Sequence, residues 1–215
     1  MRSTVFLSLV CALLVGSAPL QAQEVPGCGT LKNAFGPFDY RDPDVKRVQV
    51  PMVEAYHFTP EIEALQRGFT GGGPLPDLTY TLRAIPNHIR ALEAIARYAL
   101  SGRRMSESSI PNADCYFVRA ITFRPDDEAV HVVYANYLFK IGDWKKARAQ
   151  YEEALRLAPD SADINYVAGL FFLATNDLAR AKKLAAVAYG KGYPLPGLKR
   201  KIEEAEAHAV HRPSR

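Results

Sequence analysis

The chain has 215 residues, 48% of them hydrophobic, and carries 27 Lys and Arg against 23 Asp and Glu, a formal net charge of +4. This is enough chain to bury one substantial core, and a second independent domain is not required. Acids and bases are interspersed, as in Lys145, Lys146 and Arg148 followed by Glu152 and Glu153, or Lys199, Arg200 and Lys201 beside Glu203, Glu204 and Glu206. Such faces are solvated helix surfaces and argue against a nucleic-acid function.

At the start, Arg2 precedes an apolar run from Val5 to Val15, followed by Gly16, Ser17, Ala18 and the stretch Leu20-Gln21-Ala22. The pattern is that of a secretory signal over residues 1–22, with cleavage expected after Ala22. The run is shorter than the roughly 20 residues a spanning helix needs, so no membrane span is expected once it is removed. Cys11 lies inside it, preceded by Val10 where a lipoprotein signal has Gly, Ala or Ser, and is expected to leave with it. Cys28 and Cys115 remain. An even count in an exported chain favours a disulfide, with two buried thiols as the alternative.

Residues 23–86 form an irregular N-terminal extension, with eight prolines and seven glycines between positions 24 and 86. The composition predicts extended segments around one short helix, capped by Thr59, opened by Pro60, running to Arg67 and stopped at Gly68. Gly71-Gly72-Gly73-Pro74 reads as a turn, because no Gly-Lys-Ser/Thr follows to hold a phosphate. Phe35, Phe38, Tyr40 and Tyr56 need cover, since burying such a ring is worth about 1.5–3 kcal/mol.

From Asn87 onward the periodicity is helical. Asn87 to Leu100 forms one helix, and Ala113, Phe117, Ala120 and Pro125 mark a second. The same spacing returns at Ala147, Tyr151, Ala154 and Pro159, and again at Ala181, Ala185 and Ala188 with Pro194 one residue late, so that the alanines recur every 34 residues. Ala147, Tyr151 and Ala154 share one helix face, and Pro159 ends the helix. A preceding helix runs from Ala129 to Ile141 and breaks at Gly142 and Asp143 before Trp144 opens the next. A fixed period of this length means stacked units, here 87–127, 128–161 and 162–196, none of which buries its apolar face alone. Gly197 to Val210, with Leu198, Ile202, Ala205 and Ala209 on one face, is expected to cap the stack, within a last segment of 197–215.

Tyr134, Ala135, Leu138, Gly142, Ala147, Tyr151, Ala154 and Pro159 resemble a tetratricopeptide repeat. The next unit matches through Ala168, Gly169, Phe172, Ala181, Ala188 and Pro194, and departs at Ala185, where a large aromatic is usual. Together with the Cys28–Arg41, Tyr80–His88 and Gly192–Leu198 blocks, the chain resembles small exported bacterial proteins of this family, for which no activity is established. The resemblance implies an all-α helical-hairpin solenoid in which the first helix of each repeat lines a groove. It places Val132, Asn136 and Phe139, then Tyr166, Leu170 and Leu173, on a mostly apolar inner wall. Asn136 matches a residue type that clamps peptide backbones or carboxylates, but Val132 stands where a clamp lysine would be wanted.

The functional expectation is a non-catalytic, exported, periplasmic or secreted adaptor that captures a peptide or protein surface in an envelope assembly, of undetermined oligomeric state. The alternative is a chaperone-like or metal-binding protein whose own extension fills the groove through Phe35, Phe38, Tyr40 or Tyr56. His57, His88, His131, His208 and His211 make no H-E-x-x-H pair, no Gly-x-Ser-x-Gly elbow is present, and no cofactor or metal motif is found.

Overall fold

The computed structural model of the protein describes residues 24–105 and 110–210; the expected signal, residues 1–22 with Cys11, lies outside the described residues, as does the side chain of Ala209. The described chain is mostly helical. Its one sheet is a two-residue antiparallel pairing of β1 (Glu24–Val25) with β2 (Gly29–Thr30), in which Glu24 faces Thr30.

The repeat spacing becomes helical hairpins. α5 (Ile89–Leu100) and α6 (Ala113–Phe123) form the first, α7 (Glu128–Lys140) and α8 (Trp144–Leu157) the second, and α9 (Ala162–Ala174) and α10 (Leu178–Gly190) the third. Each helix start has a side-chain acceptor for an orphan backbone N–H. Asp127, Asp143, Ser161 and Asp177 accept from the amides of Val130, Lys146, Ile164 and Arg180, three residues on in every case.

The turn inside the second and third hairpins repeats down to individual bonds. Gly142 has φ +85°, and its N–H donates to Phe139 O while Asp143 N donates to Leu138 O. Thirty-four residues later Asn176 takes the same left-handed conformation, at φ +63°, with Asn176 N donating to Leu173 O and Asp177 N to Phe172 O. Glycine adopts this backbone without cost, and asparagine is among the residues that tolerate it best.

Small residues let the helices approach and large ones fill the gaps. Ala135, Ala147, Ala154, Ala168, Ala181 and Ala188 are fully buried. The repeat-position aromatics of α6 and α8 each meet an aromatic of the next first helix: Phe117 stacks on Tyr134 at 4.7 Å, and Tyr151 leans on Phe171 at 4.7 Å. At the far end α11 (Gly197–Val210) buries Leu198 and Ile202. Gly169 explains the close fit, because a Cβ there would come within 2.5 Å of Leu198 Cδ2.

The N-terminal region departs from the single short helix expected of it. It contains α1 (Pro43–Arg47), α2 (Gln49–His57), α3 (Pro60–Glu63) and α4 (Leu75–Ala84). Pro43 and Pro60 are the first residues of their helices, Pro76 the second and Pro51 the third. First-turn amides have no intrahelical partner, so a ring nitrogen without a hydrogen costs nothing there. Pro43, Pro51 and Pro76, counted among the interruptions of any helical period, are helix openers, as Pro60 was expected to be.

These helices also overturn the expectation that the extension fills the groove. Phe35, Phe38 and Tyr40 pack on Val50, Val53, Ala84 and Ile85, that is on α2 and the end of α4, and Tyr56 is 55% exposed. Phe58, Ile62, Leu75, Leu78 and Leu82 join the same core as the repeats. The region therefore closes the N-terminal end of the stack, a cover that terminal repeats of a solenoid require.

Candidate functional site

α5 packs against α7, and α9 against the capping helix α11, and each contact leaves a hollow on its surface. Between α5 and α7 lies a hollow of ≈430 Å³ whose apolar lining is Ala96, Leu100, Val133 and Tyr137, with Glu93, Arg97, Asn136 and Lys140 as its polar groups. Glu93, Arg97 and Leu100 reach it because i, i+4 and i+7 share a helix face, and Val133, Asn136, Tyr137 and Lys140 do the same on α7. Arg97 is tied at one side, donating to Glu63 O at 2.8 Å. Asn136 Oδ1 accepts the Tyr151 O–H at 2.5 Å, which fixes the amide and leaves its Nδ2 hydrogens as donors. Burial pushes the Tyr151 phenol well above its ordinary pKa, so it remains a donor at any working pH.

The second hollow, ≈530 Å³ between α9 and α11, has a different chemistry. Leu170, Leu173, Ala174 and Ala205 line it, with Lys201, Glu204 and His208 as its charged or titratable members.

The six residues assigned to an inner wall are thus divided. Asn136 lines the α5/α7 hollow, and Leu170 and Leu173 line the α9/α11 hollow. Val132 is partly buried against the core, Phe139 meets Phe171 edge-on at 5.3 Å, and Tyr166 is 8% exposed and stacked on Tyr193 at 4.0 Å. Glu93, Arg97 and Lys140 had no place in the expected wall. Helical spacing on α5 could have found the first two, but the 101–112 connection breaks the 34-residue register, so the repeat could not be carried back to them.

Cys28 and Cys115 are joined by a disulfide, with Cα atoms 5.2 Å apart. His57 and His88 are engaged separately, and His211 lies outside the described residues. His57 Nδ1 pairs with Asp77 at 2.8 Å while its ring stacks on Tyr80. The fully buried His88 accepts the Ala91 N–H at Nδ1, so Nε2 carries the hydrogen and donates to Glu54 at 3.0 Å. That bond holds the Glu54 carboxyl below its usual range. Among the described residues no three His, Cys, Asp or Glu side chains gather as a metal set, and no helix is long and apolar enough to cross a membrane.

Repeated helical hairpins with hollows along their first helices define a helical-repeat scaffold, a class that works by holding protein surfaces. The TPR repeat family model matches residues 135–175, from the middle of α7 to just past the end of α9, and supports the tetratricopeptide family. Such repeats are in general non-catalytic interaction scaffolds. Among curated proteins the chain is similar to protein O-mannosyl-transferase TMTC3 of Mus musculus, at 28% identity over 99 residues, and to the protein of that name in Homo sapiens, at 30% over 92 residues. The matches cover 46% and 43% of this chain and 10% of each relative, so the match spans about a tenth of the length of these relatives.

Proposed function

We propose that this protein is a non-catalytic, exported scaffold that captures an extended peptide or protein segment along the face of its first helices, within an envelope-associated assembly. The observation that carries the reading is the α5/α7 hollow, where an apolar floor of Ala96, Val133 and Tyr137 meets the exposed charges Glu93, Arg97 and Lys140 and the oriented amide of Asn136. Apolar burial supplies affinity, and an amide held in place by Tyr151 supplies register on a peptide backbone. Export is supported by the residue 1–22 pattern, and the Cys28–Cys115 bond is of the kind that persists in an oxidising compartment.

The experiment is a cross-linked pull-down from the native envelope, comparing the protein with an Arg97→Glu, Lys140→Glu variant and an Ala174→Glu variant. These positions are exposed, so circular dichroism is expected to be unchanged. Loss of a defined partner in either variant is the expected outcome. An identical partner set in all three would refute the reading.

A further inference from the structure

The Cys28–Cys115 disulfide sits where the fold has something to release. β1, β2 and the turn between them lie against α6. Val25 and Leu31 bury with Phe123, and Val118 packs beside them. Beneath this hairpin is Arg119, 3% exposed, whose guanidinium NH1 donates to Cys28 O at 3.2 Å and Thr30 O at 2.6 Å. Among the described residues no carboxylate forms an ion pair with it, the nearest electrostatic help being the more distant charge of Glu24, and its Nε is buried with no hydrogen-bond partner. A buried cation held by carbonyls alone, with one N–H unsatisfied, costs free energy that docking of the hairpin must overcome. Burial lowers the affinity of Arg119 for its own proton and outweighs the opposing influence of Tyr116 and Glu24, with the like charge of Arg83 acting alongside burial.

The two sulfurs are unequally placed. Cys28 is partly exposed on the hairpin turn, whereas Cys115 is 4% exposed and is the third residue of α6. An incoming thiolate therefore reaches Cys28 Sγ, and the leaving sulfur is Cys115, in the first turn of an 11-residue helix whose N-terminal amides stabilise a thiolate.

We propose that Cys28 is a thiol-exchange site for a dithiol reductant, and that reduction unlatches the 24–31 hairpin from α6, uncovering Arg119, Val118 and Phe123. One thiolate of the dithiol bonds to Cys28 Sγ as the Cys28–Cys115 bond breaks, and Cys115 leaves as a thiolate and takes a proton. The second thiol of the dithiol, as its thiolate, attacks its partner sulfur in the mixed disulfide and releases Cys28, which is protonated in turn. Two electrons pass to the protein and the dithiol becomes a cyclic disulfide. The hairpin then has its apolar contacts, two carbonyl bonds and the distant charge of Glu24 to set against the buried cation.

The test is hydrogen exchange on the full chain, oxidised and after dithiothreitol, read at the 24–31 amides with α7 and α8 as internal controls. Exchange at 24–31 is expected to rise on the order of tenfold or more on reduction while the controls stay protected. Arg119→Met, which keeps bulk and removes the charge, is expected to hold the hairpin docked after reduction. Arg119→Gln serves the same comparison if the first variant does not fold. Glutathione, a monothiol, is expected to leave its mixed disulfide on Cys28 in peptide mapping. The proposal is overturned by a hairpin equally protected in both redox states, by loss of protection in α7 and α8 together with the hairpin, by release undiminished in both Arg119 variants, or by an adduct found on Cys115.

Discussion

Asn87 is the residue through which the N-terminal region is fastened to the repeats, and its replacement by alanine provides a quantitative test. The side chain is fully buried and uses both of its ends: Oδ1 accepts from Tyr40 N at 2.9 Å, and Nδ2 donates to Asp39 at 2.7 Å and to Asp127 at 2.8 Å. Asp127 caps α7, while Asp39 receives Arg41 and Arg124, and Arg41 also reaches Asp126. Asn87→Ala therefore removes one neutral and two charge-assisted hydrogen bonds at once. With bonds to charged groups worth about 1.5–3 kcal/mol and neutral ones about 1, and some water readmitted, the cost is expected at about 3–5 kcal/mol. That is a large part of the 5–15 kcal/mol typical of a domain. Urea unfolding of the oxidised protein, with the slope checked against wild type, measures it. Asn87→Asp should be at least as damaging at neutral pH, because it sets a third carboxylate between two, and acid should relieve it by protonating one of the three. A cost under about 1 kcal/mol for the alanine variant would refute the account of this junction.

The same junction sets the acid limb of stability. Burial alone raises Asp39, but hydrogen bonds from Arg41, Asn87 and Arg124 outweigh it and hold the carboxyl far below its usual range. The Arg90 guanidinium holds Glu63 down and His88 holds Glu54 down, so each of the three contributes stability that is complete above the unfolded pKa near 4 and is lost as pH falls through the folded value. Asp127 runs the other way, raised by burial, and acid relieves its charge. Because the depressed carboxylates outnumber the raised Asp127, stability is expected to decline below about pH 4, and Asp39→Asn should flatten that limb; superimposable acid titrations of the two proteins would show that Asp39 does not drive it. Gly36→Ala is expected to cost more than about 2 kcal/mol, because φ is +100° and a Cβ would meet the Ala84 carbonyl oxygen well inside van der Waals contact. Gly29→Ala, at φ +77° in open space, should cost about 1 kcal/mol, and equal melting temperatures for the two variants would contradict the assignment.

The repeat region was legible because its signals are local. Ala147, Tyr151 and Ala154 share a face by spacing alone, and Gly142 with Asp143 ends one helix and caps the next within two residues. The 34-residue interval carried that reading from one hairpin to another, whereas the use of Asn176 in place of the turn glycine emerged only in the structure. The N-terminal region resisted because Pro43, Pro51 and Pro76 have two opposite meanings, and only Pro60 is legible as an opener. A proline in a helix interior breaks it, one in the first turn starts it, and composition does not distinguish the two. The α5 side of the hollow resisted because the 101–112 connection shifts the register. The junction had no sequence signature: Asn87 lies 47 residues from Tyr40 and 40 from Asp127, and no period links them.

What the sequence determined by itself was the helical-hairpin repeat, since helix faces, caps and turns are fixed by residues within a few positions of one another. Only the tertiary structure decided where the extension packs, that Cys28 meets Cys115 over a buried Arg119, and that the residues expected on one wall divide between two hollows and the core. Those outcomes depend on which apolar faces and charges compete for the same partners across the whole chain, and that competition is settled only when all of them are packed together.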